Sequence, residues 1–234
     1  MIIFAFMASL VAAFRDLTVQ SMIARSLAGE LSRKLNTNVK IRTFYITDNL
    51  GVRIEDAVFD DLDGYPMFRI GELDAKVSPM IVFNEIIIKD IYLKDVLGRI
   101  VKYEGEDQLN IKEIINLFGV KKDDDDSDLH LKVENLKLDN GHVIFWNQNK
   151  DRPEKLSMDY AHLDIDSIYG VFSNIEIKND TVLGVVQSLK GTDKCGLVLN
   201  NAMGDVVFCE KSLNVNNLVL ETGESRADLD LRFE

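Results

Sequence analysis

The chain has 234 residues, 46% of them apolar, which allows a sizeable core and places it in the ordinary globular range. Its net charge of −12, with 39 acidic against 27 basic residues and no stretch interleaving basic with aromatic side chains, excludes a nucleic-acid surface. Three Pro and 14 Gly residues are too few for a linker-rich or low-complexity chain.

Residues 1–14, MIIFAFMASLVAAF, carry no charge. As a helix they would cover about 21 Å, short of the roughly 30 Å hydrocarbon core. No basic residue precedes the run, and Ala12–Ala13 gives only a weak cleavage signal before Phe14 and Arg15. The run reads as the back half of a transmembrane anchor whose first residues precede Met1. A cleaved signal peptide and an ordinary buried helix are the other readings.

Residues 15–36 read as an amphipathic capping helix. Val19, Ile23, Leu27, Leu31 and Leu35 recur every four positions with Met22 beside them, while Arg15, Arg25, Glu30, Arg33 and Lys34 fall off the stripe. Asp16 or Thr18 suits its start and Asn36 its end. From residue 37 to 234 the period changes to two, beginning at Val39, Ile41, Phe44 and Ile46. A short helix is expected only at Asn110–Gly119, from Ile111, Ile114, Ile115 and Phe118. Turns are expected at Asp48–Asn49, Asp63–Gly64, Asp139–Asn140–Gly141 and Asn200–Asn201. Many short strands without alternating long helices predict a mainly β fold with an elongated antiparallel sheet.

One small pattern returns: Asp or Asn, then apolar–any–apolar, then a polar residue. It begins at Asp56, Asp90, Asn135, Asn174 and Asn217, at intervals of 34, 45, 39 and 43 residues. The spacing predicts one unit of two to four strands per repeat, with each apolar pair on one face. The residues expected to line that face are Ile91, Leu93, Leu136, Leu138, Ile175, Ile177, Leu218 and Leu220. The opposite alternation phase would place Tyr92 and Val219 there instead. Two predicted helices are too little to cover such a face, and lipid is one physical answer to an apolar surface of that extent.

The two cysteines, Cys195 and Cys209, flank Gly196–Phe208, which reads as two short strands around a turn at Asn201–Gly204. That hairpin would bring the sulfurs to neighbouring strands, where either a disulfide or two separate thiols is compatible with the spacing.

The order of these elements resembles the AsmA-like superfamily, closest to TamB-type translocation and assembly proteins. The resemblance rests on VQSMIARSLAGELSRKLNTNVKI after the apolar run, then RIEDAVFDDLDGYPMFRIGELDAKVSPMIVFNEIIIKDIYLKD. LKVENLKLDNGHVIFWNQN at 131–149, HLDIDSIYGVFSNIEI at 162–177 and LNVNNLVLETGESRADLDLRF at 213–233 extend it over nearly the whole chain. It implies an inner-membrane anchor, a body in the periplasm, and a long sheet curled into an apolar groove. It also implies a part in moving phospholipid toward the outer membrane, with an outer-membrane barrel assembly protein as partner. Members of the family are commonly far longer, and the last residues, Asp228–Glu234, read as strand without a cap, so further β repeats are expected.

No catalytic constellation, and therefore no enzymatic activity or cofactor, is expected. His130, His142 and His162 lack zinc-ligand spacing, and no phosphate loop, GxSxG elbow or HExxH helix occurs. Asp164 and Asp166 share one strand face and read as solvated. The run Lys121–Asp128 lacks the alternation of a calcium loop, and Trp146 has no assignable partner. Two functions follow: a lipid conduit along the apolar face, or a scaffold whose open sheet edges pair with strands of client proteins.

Overall fold

The computed structural model describes residues 16–47, 51–78, 85–111, 130–152, 158–178, 181–209 and 212–233. About 70% of them are strand, in one ten-stranded sheet accompanied by one helix. The elements are α1 (Leu17–Leu35), β1 (Val39–Ile46), β2 (Gly51–Asp60), β3 (Pro66–Val77), β4 (Glu85–Lys102) and β5 (His130–Asn147). They continue with β6 (His162–Lys178), β7 (Thr181–Asp193), β8 (Val198–Cys209), β9 (Ser212–Thr222) and β10 (Arg226–Phe233). Each strand pairs with its successor, so spatial order equals chain order.

Two expectations about this sheet need correction. It is mixed rather than antiparallel, because β4 and β5 run parallel, with Ile91 opposite Leu136 and Leu93 opposite Leu138. It is also open and not strongly curled. A parallel pair requires the chain to cross back along the sheet. That return begins where Leu109 bridges to Lys102 and Asn110 brackets Val101, donating its N–H to the Val101 carbonyl and accepting the Val101 N–H. The short helix expected through Phe118 lies outside the described residues beyond Ile111, as do Met1–Phe14, the turn at Asp48–Asn49 and the run Lys121–Asp128.

Helix α1 forms where expected. Asp16 caps it by accepting the N–H groups of Thr18 and Val19 at 2.7 and 3.3 Å, and Asn36 ends it in the left-handed conformation. Its buried side carries the small residues Ala24 and Ala28, flanked by half-buried Ile23, Leu27 and Leu31. Met22, next to the stripe in sequence, is 63% exposed. Ala28 and Leu35 pack with Val39, and Leu31, Ile41 and Phe59 close around them. Ser32 Oγ accepts the Val39 N–H at 2.9 Å, so the helix also occupies part of the β1 edge. Nearby, buried Asp61 holds the β2–β3 turn by accepting the N–H groups of Asp63 and Tyr65, the Tyr103 hydroxyl and the Asn110 amide. Burial pushes its carboxyl up, but these four donors outweigh burial and hold it below the usual range.

The expected turn at Asp63–Gly64 lies between β2 and β3, but strands run through the other two described turn positions. Asn140–Gly141 lies inside β5 and Asn200–Asn201 inside β8. Asp56, Asp95, Asn140, Ser167, Asn174 and Asn217 all have φ between 49° and 56° within strands. Asp and Asn tolerate this left-handed conformation, which serves hairpin turns and strand kinks alike. The five copies of the repeat fall on β2, β4, β5, β6 and β9, and three of them, at Asp56, Asn174 and Asn217, start on such a left-handed residue, whereas those at Asp90 and Asn135 do not. A left-handed residue brings positions two before it and one after it to the same face. A β-carbon on Gly141 would lie 3.0 Å from Leu138, across the Asn140 kink. A β-carbon on Gly204 would touch both Val215 and Leu218, which flank the kink at Asn217.

The kink at Asp95 needs a glycine beside it, because a β-carbon at Gly71 would stand 2.8 Å from the Asp95 β-carbon and 3.2 Å from the Lys94 carbonyl. Gly29, on the helix, has nothing within 4 Å of that position. Gly71→Ala is expected to destabilise the fold by about 1–3 kcal/mol through overpacking. Gly29→Ala should stabilise it by up to about 1 kcal/mol through helix propensity. Urea denaturation followed by circular dichroism reads the two opposite signs.

Candidate functional site: an uncovered apolar face

Residues directly opposite each other in a sheet point to the same side, so the register defines rows across the strands. One row runs Phe44–Ile54–Leu73–Leu93–Leu138–Gly170–Leu189–Ala202–Leu220–Ala227, a residue from each of the ten strands with no polar side chain among them. With about 4.8 Å between strands it is roughly 43 Å long. The neighbouring row, Ile46–Val52–Ala75–Ile91–Leu136–Phe172–Val186–Gly204, is equally apolar and is continued by Leu218 opposite Leu229. Toward the other strand ends, Leu131–Ile177–Val182–Phe208–Leu213–Phe233 crosses six strands. Beside it lies a row containing Val133, Ile175, Gly184, Val206, Val215 and Leu231.

The eight residues singled out from the sequence all fall in these rows. Leu93, Leu138 and Leu220 share the first, Ile91 and Leu136 the second with Leu218 at its end, and Ile175 and Ile177 the last two. Leu218 is 9% exposed, while the other seven are half-buried, shielded at their sides by neighbours in the sheet. Sequence reasoning missed most of the remaining row members, notably Leu73, Phe172 and Leu189, because they lie outside the short repeat. Among the described residues no second sheet covers this face, and the only helix packs at β1.

Tyr92 and Val219, the alternative phase, belong to the opposite side. There the row Tyr45–Arg53–Asp74–Tyr92–Lys137–Val171–Ser188 is largely polar. Arg53 grips Asp74 through two hydrogen bonds of 2.7 and 2.8 Å. The Tyr92 hydroxyl donates to Asp139 at 3.0 Å, and the Lys137 ammonium lies 5.6 and 5.4 Å from the Tyr92 and Tyr169 ring centres. Glu221 and Arg226 pair at 2.8 Å at the far edge. Charges matched across strands keep this face in water and leave the other side as the apolar one.

The remaining candidates separate in space. The segment between the cysteines is not a hairpin but a single strand, β8, with Cys195 before its start and Cys209 at its end. At about 3.3 Å per residue its ends are some 40 Å apart, far beyond the reach of a disulfide. Neither cysteine is in a disulfide: Cys195 lies 3.7 Å from the Met158 sulfur and Cys209 beside Ser212. The reason is that Asn200–Asn201 and Gly204 accommodate strand irregularities against β9 instead of a reversal. His142 meets Asp164 at 2.7 Å, which Lys194 also contacts, whereas Asp166 is exposed. His162 meets Asp159, and Arg152 stacks 5.8 Å from the Trp146 ring centre. Among the described residues no three His, Cys, Asp or Glu side chains come together as a metal site, and no helix is long and apolar enough to cross a membrane.

No protein-family model and no curated protein matches this chain.

The Arg53–Asp74 grip gives the polar face an acid-sensitive element. The Arg53 hydrogen bonds hold the Asp74 carboxyl below its ordinary value against the opposing effect of burial. Its stabilisation is therefore fully present above the unfolded carboxylate value and is lost as pH falls through the lower folded one. Asp74→Asn is expected to be less stable than the native chain at neutral pH. The difference should shrink as the pH falls through and below the ordinary carboxylate range, which urea titrations at stepped pH read directly.

Proposed function

We propose that this chain is a non-enzymatic, membrane-tethered envelope protein whose apolar sheet face carries phospholipid acyl chains between the inner and outer membranes. The observation that carries the reading is the apolar row unbroken across all ten strands. Each methylene sheltered from water contributes about 0.8 kcal/mol, so an acyl chain lying on this face is held without any directional group. Head groups would stay at the margins, in water. The resemblance to AsmA-like proteins supports the same direction, with Met1–Phe14 as the inner-membrane tether, the body in the periplasm and an outer-membrane barrel assembly protein at the far end. The second reading, a scaffold that pairs with client strands, draws support from β10, whose outer edge has no neighbouring strand among the described residues.

The test incorporates the full chain into phospholipid vesicles containing a lipid with a photoactivatable group near the end of its acyl chain. After illumination, label should map to peptides carrying Leu93, Leu138 and Leu189. Leu138→Asp combined with Ile177→Asp should cut labelling at least tenfold, while Lys137→Ala on the polar face leaves it unchanged. Native labelling in a folded Leu138→Asp/Ile177→Asp variant would remove the lipid reading.

A further inference from the structure

Where β5 ends, the apolar face runs into a cavity. On this strand the apolar side carries Leu138, Gly141, Val143 and Phe145, and its last row crosses Ile100, Phe145 and Leu163. Phe145 also lines a cavity of about 650 Å³, within the range of small-ligand sites. Asn147 at the end of β5, Lys150 and Asp151 after it, and Met158 and Tyr160 before β6 supply most of the remaining lining. Both walls are pinned to neighbouring elements. The Asn149 amide donates to the Tyr103 and Glu106 carbonyls at 3.0 and 3.1 Å, and its oxygen accepts the Gly105 N–H at 2.8 Å. On the other wall Asp159, also lining the cavity, accepts the Ala161 N–H at 3.1 Å and meets His162 at 2.7 Å. The Met158 sulfur there lies against Cys195, before β8.

Within this fixed frame polar groups are left over. The Asn149 N–H holds the Asn147 side-chain oxygen at 3.1 Å, which leaves the Asn147 amide nitrogen as a donor. Lys150 and Asp151 are exposed, and among the described residues neither the ammonium nor the carboxylate has a hydrogen bond or ion pair. We propose that the cavity seats the zwitterionic head group, phosphate plus primary ammonium, of a phospholipid whose acyl chains lie on the adjoining apolar face. The assignment rests on the reading of that face as an acyl-chain surface. The phosphate accepts hydrogen bonds from Lys150 Nζ and Asn147 Nδ2, and the ammonium donates to the Asp151 carboxylate. Phe145 belongs both to the cavity and to the apolar rows, so the first methylenes pass from one to the other without a polar step. A free phosphate ester would use the polar groups and leave Phe145 idle, which favours a lipid. Charge sets the selectivity: Lys150 stands among two carboxylates, Asp151 and Asp159. A head group of net negative charge is opposed there, whereas one carrying both signs finds a partner for each.

The experiment incorporates the full chain into phosphatidylcholine vesicles doped with one of two probes, a phosphatidylethanolamine or a phosphatidylglycerol. Each carries a photoactivatable group near the glycerol end of an acyl chain. The ethanolamine probe should label peptides carrying Phe145 and Met158 at least fivefold more than the glycerol probe at equal mole fraction. A tenfold excess of free phosphoethanolamine should leave that labelling in place. Asp151→Lys, a change at an exposed loop position, should reverse the preference, and Lys150→Glu should cut labelling by the ethanolamine probe at least fivefold. Equal labelling by the two probes, no labelling at the cavity by either, or a native preference in the Asp151→Lys variant overturns the proposal. Displacement by free phosphoethanolamine also overturns it and assigns the cavity to a soluble ligand. Labelling of Leu93, Leu138 and Leu189 from the far end of the acyl chain judges the apolar face separately, and it persists if only the head-group assignment fails.

Discussion

The structure depends on one constraint: hydrogen-bonded neighbours in a sheet must point opposite residues to the same side. A single apolar position on β4 thereby commits Leu73 on β3 and Leu138 on β5, and through them Leu189, Ala202 and Leu220. Slipping any one strand by a residue would set Lys94, Asp74 or Lys137 against leucines. The ionic and aromatic contacts on the other side resist the same slip, since Arg53–Asp74 and Tyr92–Asp139 form only in this register. The two faces thus specify each other.

A flat alternation of period two would carry this apolar side only in straight strands. Asp and Asn residues in the left-handed conformation let long strands such as β4, β5 and β6 kink without losing it. At Asn140 the face advances by three positions, from Leu138 to Gly141, and at Asn217 from Val215 to Leu218. At Asn140 and Asn217 the cost of the left-handed conformation is limited because the short polar side chain finds a nearby partner. Asn140 donates to Asp95 across the parallel pair, and Asn217 donates to Asp205 at 2.9 Å. Close glycines on neighbouring strands complete the fit.

The helix distinguishes one edge of the sheet from the other. Ala28 and Leu35 pack α1 against the strand at one end, and Ser32, Thr37 and Asn38 fasten it through hydrogen bonds to Val39, Asp60 and Asp61. Among the described residues nothing comparable meets β10, where apolar and charged residues alternate to the end of the strand.

Periodicity alone was sufficient for α1 with its Asp16 and Asn36 caps, for the mainly β character, and for the shared apolar side of Leu93, Leu138 and Leu220. These are local properties, set by 3.6- and two-residue repeats and by the backbone preferences of Asp and Asn. Three things were decided only in the tertiary structure. The parallel pairing of β4 with β5 depends on the path of a long connection, which strand composition does not encode. The role of Asn140–Gly141 and Asn200–Asn201 as kinks instead of turns, and with it the separation of Cys195 from Cys209, depends on whether neighbouring strands compensate the break; the same dipeptides serve both geometries. The complete apolar row depends on register, which couples residues more than a hundred positions apart and therefore leaves no trace in any local window.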